Sequence, residues 1–246
     1  MSTLFERWMA NLEERHLADL QFSETARALR ALSTTYVERR ERLESKSAFD
    51  SAGKRAAYAL YYSPLHFLTV QNIAASIDAS RAVRHILDVG CGAGAAGAAW
   101  AATQPRPAAV TGLDTHPWAL NEAALTYRAF GLEGSTRRAN VLHLSVPRSV
   151  DAIAAGWVLN EVTDQTRLAL QRTLLDAVKA GRRLLVVEPI ATRISPWWDA
   201  WAAPFIDAGA RVDEWRFRVE LPDIVQRLGR AAGLRQEALT ARSLLV

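Results

Sequence analysis

The sequence contains one cysteine, Cys91, in 246 residues. A lone cysteine excludes an internal disulfide and any zinc or iron–sulfur site built from several thiolates, and no metal is expected. Lysine is nearly as scarce, occurring only at Lys46, Lys54 and Lys179. No apolar run approaches the ~20 residues that span a bilayer, so no membrane role is expected. The first residues carry Glu6, Glu13 and Glu14 and do not read as a signal peptide, which makes the cytoplasm the expected location. Internal repeats and low-complexity tracts are also missing.

What remains is ordinary globular material. Apolar residues make up 50% and charged residues 23%, a balance that supports a packed core rather than a disordered chain. The formal net charge is +4, and nearly all of the positive charge is arginine. Arginine suits bidentate phosphate contacts, which keeps RNA as a possible partner. The basic residues are nevertheless scattered and form no dense run.

The chain is organised around His85–Gly94, read as a short buried strand followed by a glycine loop, and then Ala95–Trp100, a tightly packed helix start. Alternating glycines let the backbone approach a ligand and adopt angles closed to other residues. The first helical amides then face what the loop holds. Two nucleotide readings compete. Gly92-Ala93-Gly94-Ala95-Ala96-Gly97 matches G-x-G-x-x-G, with Asp114 at the ribose-binding distance. The other uses Asp88-x-Gly90-x-Gly92-x-Gly94, with an acid at the strand end. A carboxylate there repels a pyrophosphate and attracts an ammonium group, which favours S-adenosylmethionine over a dinucleotide. No G-K-[ST] follows, so a Walker phosphate loop is excluded.

Before this stretch, residues up to about 80 read as helical. Leu4, Phe5, Trp8, Met9 and Leu12 recur at helical spacing. Ser23 is the expected cap of a second helix carrying Ala26, Leu29, Leu32, Tyr36 and Leu43, with the charged run Glu38–Arg42 as its solvated end. Ser45–Gly53 reads as a polar linker, and Ser63-Pro64 as the start of a further helix. From His85 onward strands and helices alternate. Strands are expected at His85–Gly90, Ala109–Asp114, Ser135–Asn140, Ala152–Leu159 and Arg183–Glu188. Helices are expected at Ala95–Ala102, Pro117–Phe130 and Arg167–Ala180, with a last helix at Leu221–Ala232 and one or two strands in Leu234–Val246. Such alternation implies a parallel sheet with right-handed crossovers and a ligand beyond the carboxyl ends of the strands.

Leu87-Asp88-Val89-Gly90-Cys91-Gly92-Ala93-Gly94, followed by Val110-Thr111-Gly112-Leu113-Asp114, resembles the class I S-adenosylmethionine-dependent methyltransferases over about residues 85–190. The resemblance implies an α/β, Rossmann-like, mostly parallel sheet with helices on both faces. Here it would comprise residues 81–246 behind a helical N-terminal cap, residues 1–80, through which the chain could also dimerise. It implies that Gly90, Cys91, Gly92 and Gly94 hold the methionine portion of the cofactor. Asp88 would position its amino group, and Asp114, with Thr115 beside it, would take the ribose hydroxyls. Asn140-Val141 falls where the family contacts adenine, and Asn160 and Glu161 fall where it faces the methyl group and substrate. Asn160, Glu161 and His66 are the catalytic candidates. Cys91 lies inside the cofactor loop and is misplaced as a nucleophile. Tyr58 could close over the cofactor, and His116 could line its edge. Trp197, Trp198 and Trp201, with Trp215 and Phe217, read either as a lid or as packing against the N-terminal helices.

A narrower likeness involves Arg55–Asn72, the glycine loop, Val158–Val162 and Val186–Pro189. These resemble the small-ribosomal-subunit-associated methyltransferase-like family, whose members often carry a cysteine-rich metal segment that this chain lacks. The leading expectation is methyl transfer to a small molecule. The alternatives are RNA methylation and a non-catalytic, cofactor-binding assembly factor.

Overall fold

The computed structural model describes residues 3–38, 49–77, 82–234 and 236–246. Five strands run parallel: β1 (His85–Val89), β2 (Ala109–Asp114), β3 (Gly134–Arg138), β4 (Ala152–Gly156) and β5 (Arg183–Glu188). Two antiparallel strands, β6 (Arg211–Phe217) and β7 (Leu239–Leu245), complete a seven-stranded sheet of order β3-β2-β1-β4-β5-β7-β6. This is the expected α/β, Rossmann-like class. Chain order reverses between β1 and β4, which opens a crevice at their carboxyl ends.

The alternation of side chains along each strand sorts the core into two layers. Ile86, Val110, Ala152, Ala154, Leu185 and Val187 face one way. They pack beneath α1 (Leu4–His16), α2 (Phe22–Glu38), α4 (Ser63–Ser76), α5 (Ala95–Ala102), α6 (Pro117–Ala129) and α9 (Asp223–Ala232). Leu87, Val89, Ile153, Ala155, Leu184 and Val186 face the other way, toward α7 (Asp164–Lys179) and α8 (Trp198–Asp207). The N-terminal helices belong to the first layer. Trp8, Phe67 and Phe130 form a ring cluster with centroids 4.5–5.5 Å apart. The Trp8 indole N–H donates to Thr126 at 3.3 Å, and Arg15 pairs with the buried Glu122. The apolar residues Trp8, Met9, Leu12, Leu29 and Leu32 are therefore occupied within the chain. Among the described residues, no helix is long and apolar enough to cross a membrane, and no cluster of three metal-ligating residues occurs.

Several local expectations require correction. Ser63-Pro64 opens α4 as expected, but Ser63 is not its cap and the start is not a free one. A single helical rod runs from α3 (Ala52–Ala57) through a π turn at Tyr58–Tyr62 into α4. Ser63 N–H reaches back five residues to the Tyr58 carbonyl, and the widened turn accommodates the proline ring without breaking the helix. Ser23 lies inside the first turn of α2. Its expected capping role falls to Glu24, whose carboxylate accepts from Gln21 N–H at 2.9 Å. The side chain of Tyr36, together with Arg39–Arg42, Leu43 and linker residues 45–48, lies outside the described residues.

The third strand ends at Arg138, and Asn140 instead caps a short 3₁₀ turn, accepting from Leu142 N–H at 2.9 Å. The fourth strand ends at Gly156, three residues early, because Trp157 turns the chain with φ +58°. Leu234–Val246 supplies one strand, β7. Trp215 and Phe217 lie in an unexpected edge strand, β6, their rings stacked 5.5 Å apart. The tryptophans of α8 neither form a lid nor dock on the N-terminal helices. Trp198, Trp201 and Phe205 are buried with Leu170 and Leu174 of α7 on the opposite side of the sheet. Ahead of α8, the Ser195 hydroxyl donates to the Pro189 carbonyl at 3.3 Å.

Candidate functional site

Beyond the carboxyl ends of β1, β2 and β4 lies a cleft of about 590 Å³. Its floor is the loop after β1, where Gly90, Gly92 and Gly94 take φ of +64°, +52° and +78°. A Cβ at Gly90 would lie 2.4 Å from a Val158 methyl, and one at Gly92 2.5 Å from the Tyr58 hydroxyl. The two glycines therefore let the Val158 methyl and the Tyr58 hydroxyl approach the floor closely. Gly94 acts behind the floor, where its missing Cβ admits Ala123 and Tyr127, so that α5 can begin tightly against α6.

Asp88 was expected to face a ligand, but its side chain does not line the cleft. It is buried behind the loop, with Oδ2 accepting from Gly97 N–H at 3.0 Å and from the Tyr127 hydroxyl at 3.3 Å. Gly97 is the third residue of α5, so the carboxylate satisfies an otherwise orphan amide at the positive end of a helix. A Cβ on Gly97 would collide with it at 2.5 Å. Oδ1 is buried without a partner among the described residues. Burial pushes the carboxyl up to about 7. Cys91 likewise points into the core, its Sγ packed beside Gly112, and burial pushes its thiol up. Only its backbone belongs to the loop, where its N–H donates to the Leu113 carbonyl at 2.8 Å.

Asp114, at the end of β2, lies on the cleft wall with Thr115 and His116. Its two oxygens accept from Gly92 N–H at 3.0 Å and His116 N–H at 2.8 Å. The acid thus ties the glycine loop to the second strand. His116 caps α6 through Nδ1, which accepts from Trp118 N–H at 3.1 Å. Burial outweighs the nearby Asp114 carboxylate and lowers its imidazole pKa. Asn140 and Val141 line the same end of the cleft, with Arg138 beside them.

The opposite wall comes from the turn after β4. Trp157, Val158, Glu161 and Val162 line it. Asn160 does not; its side-chain amide turns inward and donates to Glu188. His66 is not on the wall either, but stacks against Trp157 with centroids 3.7 Å apart and an 8° interplanar angle. Burial lowers its pKa to about 3, so its ring stays neutral near pH 7. Tyr58 closes the N-terminal side as expected, its ring 4.9 Å from Phe49 and perpendicular to it. Burial raises the Tyr58 pKa, as do the carboxylates of Glu161 and Asp114, so the phenol stays protonated.

Among the wall residues that escaped the sequence reading are Phe49, Trp157 and Arg138. Phe49 carried no signal within a polar stretch. Trp157, a large ring between a strand-ending glycine and Val158, was the one detectable oddity.

Known proteins share much of this arrangement. Residues 86–181 match the family model of a methyltransferase domain. This stretch contains β1 to β4, which supply the floor and two walls of the cleft. That stretch is similar to a methyltransferase domain. Solved structures with the same fold include the mitomycin 7-O-methyltransferase MmcR, with 16% identity, a TM-score of 0.55 and coverage of 100% of this chain and 73% of that one. A second is the O-methyltransferase NcsB1 of neocarzinostatin biosynthesis, solved with S-adenosylmethionine and 2-hydroxy-5-methyl naphthoic acid. It has 17% identity and a TM-score of 0.51, with coverage of 84% of this chain and 60% of that one. No match is found among curated proteins.

S-adenosylmethionine is the group bound in NcsB1, and the residues of this cleft are compatible with it. Gly90 and Gly92 line the cleft without side chains of their own, and Asp114 offers acceptor oxygens on the wall of the same cleft. Phe49 and Tyr58 come from outside the matched domain, so the N-terminal segment completes the site.

Proposed function

We propose that this chain methylates a small molecule with a flat, partly apolar body and a reacting O–H or N–H group. The carrying observation is that one cleft joins the glycine floor and Asp114 to a far wall formed by Trp157 and Glu161, with Phe49 and Tyr58 at its side. Aromatic faces favour flat ligands through offset or edge contacts. The small-molecule O-methyltransferases MmcR and NcsB1, which share the fold, support this acceptor class.

In this reading Gly90 and Gly92 hold the methionine portion of the cofactor. Asp114 and Thr115 hold the ribose, while Asn140 and Val141 border the adenine. Bound S-adenosylmethionine supplies an electrophilic methyl group with a neutral leaving group, so the protein contributes chiefly alignment. Glu161 is the carboxylate positioned to accept the acceptor's proton. His66, stacked and held neutral, supports the Trp157 ring.

Calorimetry tests the cofactor half: wild type binds S-adenosylmethionine, and Asp114→Ala weakens binding by ~1–3 kcal/mol through lost charged hydrogen bonds. An unchanged affinity removes the ribose role. The acceptor half is tested with panels of phenols and aromatic amines, monitoring formation of S-adenosylhomocysteine. Turnover that disappears in Glu161→Gln supports the proton-accepting role; turnover at the wild-type rate removes it.

A further inference from the structure

The turn after β4 raises a mechanical question. Trp157 holds φ +58°, a left-handed conformation that costs an L-residue ~1–2 kcal/mol. No glycine relieves that cost, so contacts elsewhere must hold the turn.

Two buried side chains grip it by complementary groups. Glu188, at the end of β5, is fully buried. Its Oε1 accepts from Leu159 N–H at 2.8 Å, and its Oε2 accepts from the Asn160 side-chain amide. Arg167, in the first turn of α7, is buried too. Its Nε donates to the Leu159 carbonyl at 2.9 Å, and its Nη2 donates to the Val162 carbonyl at 2.9 Å. The Glu188 carboxyl oxygens take donors of the turn and the guanidinium takes its acceptors. The peptide units on both sides of Leu159 are held, between the two wall residues Trp157 and Glu161. Arg167 is itself fixed by Asp164 and by the Trp197 ring, 4.4 Å below its guanidinium carbon. This gives the α8 aromatic segment a role at one remove from the cleft.

We infer that Glu188 and Arg167 are positioning residues that clamp the Trp157–Val162 turn and so aim Trp157 and Glu161 at the acceptor side of the cleft. Neither side chain lines the cleft, so neither is a catalytic residue. The catalytic meaning of the clamp rests on the proposed function; the clamp itself does not. Arginine is required for the second grip because its planar fork reaches two carbonyls at once, which a lysine ammonium cannot reproduce.

The test uses the full chain labelled with 5-fluorotryptophan. The Trp157 resonance, assigned through Trp157→Phe, is followed by ¹⁹F NMR with and without S-adenosylhomocysteine. Glu188→Gln and Arg167→Lys are expected to shift or split that resonance while cofactor affinity and the Trp8 and Trp100 resonances stay at wild-type values. Glu214→Gln, on the exposed edge strand, leaves Trp157 unmoved. A purely structural role lowers the unfolding midpoint of the clamp variants without changing the Trp157 resonance, and that result overturns the inference. Failure of wild type to bind S-adenosylhomocysteine instead overturns the proposed function, a separate readout from the same samples.

Discussion

Two loops follow neighbouring parallel strands of one sheet, and they reach unusual backbone conformations by different means. The loop after β1 uses glycine at each of its three left-handed positions, Gly90, Gly92 and Gly94. The turn after β4 places a tryptophan in the same region. Both are anchored from below by a buried carboxylate that accepts a backbone N–H, Asp88 from Gly97 and Glu188 from Leu159. The first conformation is local, inexpensive for its residues and readable as spacing. The second is imposed by partners distant in sequence, and it lies at the end of the cleft assigned to the acceptor. The proposed cofactor floor and the proposed acceptor wall thus draw on different kinds of encoding.

The strongest way to break the comparison is to remove glycine where it is required. Gly90→Ala combines left-handed strain with a Cβ 2.4 Å from the Val158 methyl. The expected loss of stability is about 2–4 kcal/mol, measured from the denaturant midpoint at constant m-value. Val158 belongs to the other loop, so the two sites touch. A double-mutant cycle with Val158→Ala should show a coupling of roughly 1–2 kcal/mol. Strict additivity would mean that the loops are mechanically independent.

The two anchoring carboxylates provide a second test. Burial pushes Asp88 up to about 7 and Glu188 up to about 8, from ordinary values of 3.8 and 4.5. Acids whose folded pKa is raised favour the folded state when protonated. Their contribution is complete below the ordinary pKa and is lost as pH rises through the folded value. Stability should therefore decline from about pH 4 to about pH 8, and Asp88→Asn or Glu188→Gln should flatten that decline by an amount on the order of 1–3 kcal/mol. Glu122 serves as a contrast of opposite sign. Burial acts to raise its pKa, but hydrogen bonds from His16 and Arg15 prevail and hold it at about 2. Its contribution is present above 4.5 and lost as pH falls toward 2. Equal slopes in wild type and both variants would show that neither anchor titrates in this range.

How much of this was legible follows from the same distinction. The parallel strands, their order along the chain and the glycine loop at the cleft floor were readable because the necessary residues are neighbours in sequence. Asp88 was recognised as part of the motif, but its direction was not: only the position of Tyr127 and the missing Cβ of Gly97 turn it inward. Asn160 was expected in the cleft, and Glu188, 28 residues later, pulls it away. Ser63-Pro64 read as a capped helix start, and its continuity with α3 was not legible because a π turn leaves no local signature. The α8 tryptophans read as a lid or as packing on the N-terminal helices, because spacing identifies an apolar face without saying which side of the sheet it meets. Phe49 and Tyr58 meet the methyltransferase domain only through tertiary packing.

The smallest effect isolates the backbone from the ring. Trp157→Ala removes the stack on His66 and keeps a Cβ at φ +58°. Trp157→Gly removes the stack and the left-handed penalty together. In an ordinary extended or helical position glycine is the less stable choice, because its unfolded chain has more freedom to lose. Here the order should invert, with Trp157→Gly the more stable of the two by about 1 kcal/mol. Both should be less stable than wild type, since each loses the indole–imidazole contact. Matched denaturant curves of the two variants decide the point. If alanine is equal or better, the turn has relaxed once the ring is gone, and the stack rather than the clamp holds the left-handed conformation. If glycine is better, Glu188 and Arg167 impose that backbone on whatever residue stands at 157, and the ring is carried into the cleft by a frame that exists without it.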